Sequence, residues 1–214
     1  MSWRPDYLTL AAFKTYLRIG DTVDDAELAV AVTAASRAVD HACNRQFGVE
    51  ASAVARVYEA SPAAGGWRAG SSRPFGGRAW VEIDDLMTTS DLAVKFDQDA
   101  DATFEETVTA YDLWPWNAAA DGKPWTHIVF RSTATAPVSS PRAVEVTAKW
   151  GWTAVPAQVA EAARLQAARF FKRRDAPFGV AGSPDVGSEL RLLARLDPDV
   201  AVLVGSLKRM WVAA

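Results

Sequence analysis

A chain of 214 residues, half of them apolar and 23% charged, can bury a core as one large domain or two small ones. Its formal charge of −3 lacks the basic excess that binds nucleic acid through counterion release, so any contact with DNA is expected to be local, weak and sequence-independent. One cysteine, Cys43, and two histidines, His41 and His127, exclude a disulfide framework and an all-cysteine zinc site and leave only carboxylate-dominated metal chemistry.

Met1–Asp6 has neither an apolar stretch nor a small-residue cleavage site, so no signal peptide is expected. Apolar runs such as Val200–Val204 are too short to cross a bilayer, and the expectation is synthesis in a cytoplasm without membrane insertion. Thr9–Arg18 reads as a short helix with Leu10, Phe13, Tyr16 and Leu17 on one face and Gly20 as its stop. Asp24 and Glu27 have the spacing of a capping box. The helix they open carries Leu28, Val32, Ala35, Val39, Ala42 and Cys43 at steps of three and four and ends near Arg45.

From Ala55 the period changes. Val57–Tyr58, Trp80–Ile83, Leu92–Phe96, His127–Phe130 and Val144–Trp150 are short, β-branched or aromatic, and bounded by turn residues, as strands of a small antiparallel sheet or barrel are. Ser61–Ala79, rich in Gly, Ser, Pro and Ala, reads as one long loop. Helical signals return at Pro156, placed in a first turn, and continue to Lys172, Arg173 and Arg174, cations that suit the negative end of a helix dipole. Phe178–Gly187 reads as a glycine-punctuated loop. A last helix, capped by Asp197 with Pro198 behind it, runs through Leu203 and Leu207 towards Trp211. The fold class expected is α+β: a small bundle of N- and C-terminal helices with an inserted antiparallel β-rich region. The divisions expected are residues 1–50, 51–153 and 154–214.

Chemistry-bearing motifs are few. Asp97, Asp99 and Asp101 alternate like calcium-loop ligands, but Ala102 and Val108 stand where such a loop needs its glycine and its bidentate glutamate. A polar hairpin turn gives the same alternation. Asp40, His41 and Cys43 are close in sequence, yet helical neighbours one and two residues apart point in different directions. No nucleophile elbow, phosphate loop, zinc-protease helix or dinucleotide fingerprint occurs. The expectation is no enzymatic activity, no cofactor and no resident metal.

Aromatic and basic groups alternate at Trp67, Arg68, Arg73, Phe75 and Arg78, a composition that suits either base stacking with phosphate contact or a protein anchor that orders on docking. Lys172, Arg173 and Arg174 pose the same choice. Phe178 and Trp211 complete the candidate interface or lumen contacts. Nine tryptophans, each a large, stiff contact surface, serve a core or an interface equally well.

Tyr7–Gly20 with the acidic turn after it, Ala34–Gly48, the strand, Asp-rich turn and strand from Leu92, Tyr111–Trp125, and Trp150–Pro156 leading to Phe171–Gly179 together resemble the head-to-tail connector (adaptor) proteins of tailed bacteriophages, most of all the longer versions in phages of actinobacteria. The likeness runs in order along nearly the whole chain and omits Ser61–Ala79. It implies a virion location in the head–tail neck and a homo-oligomeric ring, typically a dodecamer. It implies as partners the portal protein above, a stopper or tail-completion protein below, and double-stranded DNA passing through the lumen. Such proteins carry no catalytic residues. The competing reading is a Trp-rich carbohydrate- or ligand-binding module of a virion or cell surface, which requires aromatic side chains on one exposed sheet face.

Overall fold

A computed structural model describes residues 4–60, 74–131, 142–175, 180–181, 190–191 and 197–209. The protein is α+β, with helices at both ends and antiparallel sheets between them. It divides into two units: Gly48–Thr153, which is all β, and a helical unit that joins Arg4–Phe47 to Ala154–Ala214. No helix among the described residues is long and apolar enough to cross a membrane.

In the helical unit, α1 (Leu10–Leu17) starts at Thr9, whose hydroxyl accepts the Ala12 N–H at 3.2 Å. It ends at Arg18, which turns left-handed (φ 60°) two residues before the glycine expected to stop it. The long helix α2 (Asp25–Cys43) buries Leu28, Val32, Ala35, Val39 and Cys43 of the stripe its periodicity predicts, with Ala31 and Ser36 besides, while Ala42 is half-buried. The capping box does not form. Asp24 makes no side-chain cap, because its carboxylate and that of Glu27 both accept from Arg174, at 2.7 and 2.6 Å. Two charge-assisted bonds to one guanidinium outweigh bonds to neutral backbone N–H groups.

Helix α3 (Ala157–Lys172) begins one residue later than expected, with Pro156 at its N-cap, and buries Val159, Ala162, Ala163, Gln166 and Ala167. Alanines let α2 and α3 approach closely: Ala31, Ala35 and Ala167 share a core with Phe13 and Leu28, both fully buried. Each of those two large side chains contributes about 1.5–3 kcal/mol through burial. Helix α4 (Pro198–Val204) is capped by Asp197, which accepts the Asp199 N–H at 2.9 Å. It does not continue towards Trp211. A single 3-10 turn, Gly205–Leu207, follows, Lys208 is extended, and the Arg209 N–H donates to the Cys43 carbonyl at 2.8 Å. Ahead of α1, the buried Tyr7 hydroxyl donates to Asp40 and accepts the Phe47 N–H at 2.8 Å.

In the β unit, β1 (Val54–Tyr58), β2 (Trp80–Leu86), β3 (Ala93–Phe96), β4 (Glu106–Val108), β5 (Tyr111–Trp114), β6 (Trp125–Phe130) and β7 (Val144–Ala148) form two antiparallel sheets, ordered β1-β7-β3-β4 and β2-β6-β5. Alternate residues point inward: Val81, Ile83, Val94, Phe96, Ile128, Phe130, Val144 and Val146 share one core, and the Phe96 and Phe130 rings meet edge-on at 4.9 Å. Strand β4 was anticipated only as the second strand-like flank of the Asp-rich turn, without bounds, and β5 was not anticipated. Three and four residues long, with Glu106 and Asp112 inside them, they are too short and polar to show a period of two.

The loop expected over Ser61–Ala79 shortens at its far end: Pro74–Gly77 is a 3-10 turn, and buried Ala79 accepts the Phe130 N–H at 2.9 Å. Residues 61–73 lie outside the described residues. Within the expected loop at Phe178–Gly187, Val180–Ala181 (β8) pairs with Leu190–Arg191 (β9), a ladder too short to leave a pattern in sequence.

The ends of the β unit are tied together. Gly48 accepts the Trp152 N–H at 2.8 Å, Glu50 donates its N–H to Trp150 at 2.8 Å, and Asp85 accepts the Gly151 N–H at 2.7 Å. Gly151 has φ +107°, and a Cβ placed there would lie 1.8 Å from the Gly48 carbonyl oxygen. Only glycine fits. On either side, Trp150 Nε1 donates to the Val54 carbonyl and Trp152 Nε1 to the Asp85 carboxylate, both at 2.7 Å.

Candidate interface surfaces

The outer face of the sheet β2-β6-β5 collects aromatic side chains. Register sets His127 opposite both Glu82 and Trp114, and Val129 opposite Trp80 and Asp112; residues directly opposite in antiparallel strands share a face. The His127 ring lies 5.2 Å from Trp80 and 5.0 Å from Trp114. Phe75 reaches the same group from the 3-10 turn, at 5.7 Å from Trp80, 5.5 Å from Trp114 and 5.7 Å from His127. To do so it adopts a left-handed backbone (φ 56°), followed by Gly76 and Gly77 in the same region. A bulky residue there is strained by about 1–2 kcal/mol, which its packing on three rings offsets. All four rings are half-buried, and Trp116, just past the cis Trp114–Pro115 bond, is 54% exposed.

A charged group flanks this face. Asp112 on β5 accepts from Arg131 Nε and an Arg131 terminal nitrogen at 3.0 and 2.6 Å, and from Arg78 at 3.4 Å. The hydrogen bonds from Arg131, then the charges of Arg131 and Arg78, hold the Asp112 carboxyl below the ordinary carboxylate range. Among the sequence candidates, Phe75 and Arg78 therefore come together on one sheet. Trp67, Arg68 and Arg73, candidates from the same stretch, lie outside the described residues. Sequence reasoning missed Trp114, His127, Asp112 and Arg131. The signal that could have found them was the β5–β6 pairing itself.

At the end of α3, Lys172 is exposed and Arg173 half-buried. Arg174 is committed within the chain: besides Asp24 and Glu27, its guanidinium sits 4.7 Å from the centre of the Phe171 ring. Phe178 and Trp211 lie outside the described residues.

The Asp-rich turn between β3 and β4 is held by its own backbone. Asp97, 2% exposed, accepts from Ala100 and Ala102 N–H at 2.7 and 2.9 Å; Asp99 accepts from Asp101, and Asp101 from Thr103. Ala100 and Ala102 both have positive φ, 64° and 72°, the conformation that favours glycine. The carboxylates that converge are Asp97, Asp99 and Glu105, with oxygens within 4.8 Å of one another. Asp101 turns instead to Thr103, so the alternation in sequence is not the grouping in space.

Cys43 is fully buried in α2 while His41 on the same helix is exposed. Burial pushes the Cys43 thiol up to about 11, the opposite of an activated nucleophile.

No protein-family model matches this chain, and no curated protein does. Two solved structures share its fold from end to end. One is a chain from the neck of an empty gene transfer agent (GTA) particle computed with C6 symmetry, 19% identical, covering 100% of this chain and 95% of that one, with a TM-score of 0.55. The other comes from the neck of the native GTA particle computed with C12 symmetry, at the same identity and coverage, with a TM-score of 0.52. At 19% identity the likeness is one of fold.

Proposed function

We propose that this chain is a structural subunit of the neck that joins head to tail in a phage-like particle, assembled as a ring between the portal and the stopper or tail proteins. The observation that carries this reading is the end-to-end fold likeness to a chain of GTA particle necks computed with C6 and C12 symmetry. The sequence resemblance to head-to-tail connectors, drawn from other features, points to the same place. A net charge of −3 suits a conduit through which DNA passes without being gripped. The role is mechanical, and no residue is assigned a catalytic part.

A ligand-binding module would need open aromatic faces. Phe75, Trp80, Trp114 and His127 instead contact one another at 5.0–5.7 Å, which favours a packed surface over a binding platform. The test is imaging of the purified protein, alone and mixed with its portal. Rings with a central hole are the expected result. Monomers under both conditions, together with particles that acquire tails normally when the gene is deleted, would remove the proposal.

A further inference from the structure

Imidazole has an ordinary pKa of about 6.5, so its surroundings decide whether it is charged near neutral pH. His127, half-buried in the middle of β6, has three aromatic neighbours: Trp114 at 5.0 Å, Trp80 at 5.2 Å and Phe75 at 5.7 Å between ring centres. A cation within about 6 Å of a ring centre is drawn to the π electrons, whereas a neutral ring gains only ordinary packing. Directly across on β2 stands Glu82, and residues directly opposite in an antiparallel pair share a face with their Cβ atoms about 4.5–5.5 Å apart.

The other charges around His127 are already matched. On β5, Asp112 lies one step along the same face, opposite Val129, and is bound by Arg131 and Arg78. The turn Pro74–Gly77 carries no charged residue, and neither does β6 itself. Thr126 Oγ1 lies 2.9 Å from His127 Nδ1, and a hydroxyl can donate to a neutral imidazole or accept from a charged one, so this bond survives proton uptake. Partial burial works against the charged form. Three rings and one carboxylate work for it.

We propose that His127 is a proton-operated brace of this sheet face: once protonated, its ring is held by Trp80, Trp114, Phe75 and Glu82, and it fixes the Pro74–Gly77 turn more firmly to the sheet. The turn has most to gain, since Phe75 keeps a left-handed backbone (φ 56°) to reach the group. The folded protein therefore binds this proton more tightly than the unfolded chain. The added stability is fully present below about pH 6.5 and is lost as pH rises through the higher folded midpoint.

The test is an NMR titration of the His127 ring in His41→Gln, a change at an exposed position that leaves a single histidine. Folded protein is compared with the same chain in concentrated urea. The folded midpoint is expected about one pH unit above the unfolded one, a tenfold gain in proton affinity. A folded midpoint equal to or below the unfolded one would overturn the proposal. Glu82→Gln should lower the folded midpoint, and an unmoved value would overturn the part given to that carboxylate. Finally, the melting temperature of the wild type should pull further ahead of that of His127→Gln as pH falls from 8 to 5.5. A difference that stays constant with pH would mean that the ring merely fills space, and the brace would be gone.

Discussion

The helical and β units use the left-handed backbone for different ends. Among the described residues of the helical unit, Arg18 and Asn44 adopt it at the ends of α1 and α2, where their N–H groups close the last turn on Lys14 and Thr15 and on Asp40 and His41. These are local solutions that many residues can make. In the β unit, Phe75, Asp91, Ala100 and Ala102 adopt it inside turns, and Gly151 goes further, where two backbones almost touch. At Gly151 the conformation is imposed by a backbone distant in sequence, that of Gly48. A helix end can be rebuilt nearby, but a crossing of two backbones cannot.

The sharpest way to break that contrast is a pair of alanine substitutions. Gly151→Ala would put a methyl group 1.8 Å from the Gly48 oxygen and is expected to cost more than about 3 kcal/mol, read as a collapse of the thermal transition. Gly205→Ala, at the end of α4, meets nothing within 4 Å and has φ −57°. It should be neutral or stabilise by up to about 1 kcal/mol. Equal effects would mean that the β unit tolerates a rebuilt crossing.

Next in size, Tyr7→Phe tests whether the helical unit has a comparably irreplaceable point. The phenol donates to Asp40 and accepts from Phe47 N–H, and its removal takes one hydrogen bond from each inside the unit. A loss of about 1–3 kcal/mol in denaturant unfolding is expected. Burial, followed by the bond to Asp40, raises the Tyr7 hydroxyl well above its ordinary value, so it stays protonated across the neutral range.

Ala102→Gly and Ala100→Gly should move in the opposite direction. Each releases a left-handed alanine at φ 72° or 64°, and each is expected to stabilise by up to about 1 kcal/mol once the entropy of glycine is set against the relief. A drop in melting temperature would show that the turn is not strained where its dihedrals place the strain.

The smallest effect is one of pH. Asp112 is held below the ordinary carboxylate range by Arg131 and Arg78, so the folded state takes up its proton less readily than the unfolded state. Its contribution is therefore present above roughly pH 4 and fades as pH falls through and below that value. Asp112→Asn should flatten this part of the acid limb of the stability curve. An unchanged slope would assign acid sensitivity to other carboxylates.

Reading the two units from sequence succeeded unequally, for the same reason. The buried stripe of α2 and the Asp197 cap of α4 follow from residues within a few positions of one another, which a linear pattern displays. The same logic separates His41 from Cys43. Where a distant group competes, local logic fails: Arg174, some 150 residues away, takes the carboxylates that would have capped α2. The Asp-rich turn likewise groups Asp97 and Asp99 with Glu105 rather than with Asp101.

By itself, then, the amino-acid order determined the α+β class, the amphipathic helices and most of the strands, because hydrophobic period and turn residues are local signals. Tertiary structure alone decided that Val54 would pair with Ala148, that Phe75, Trp80, Trp114 and His127 would gather on one face, and that Gly151 would admit no side chain. Cross-strand register joins residues that no sequence period relates. It becomes determinate only when two sheets share one core, since a slip of one residue would turn every inward side chain out to solvent.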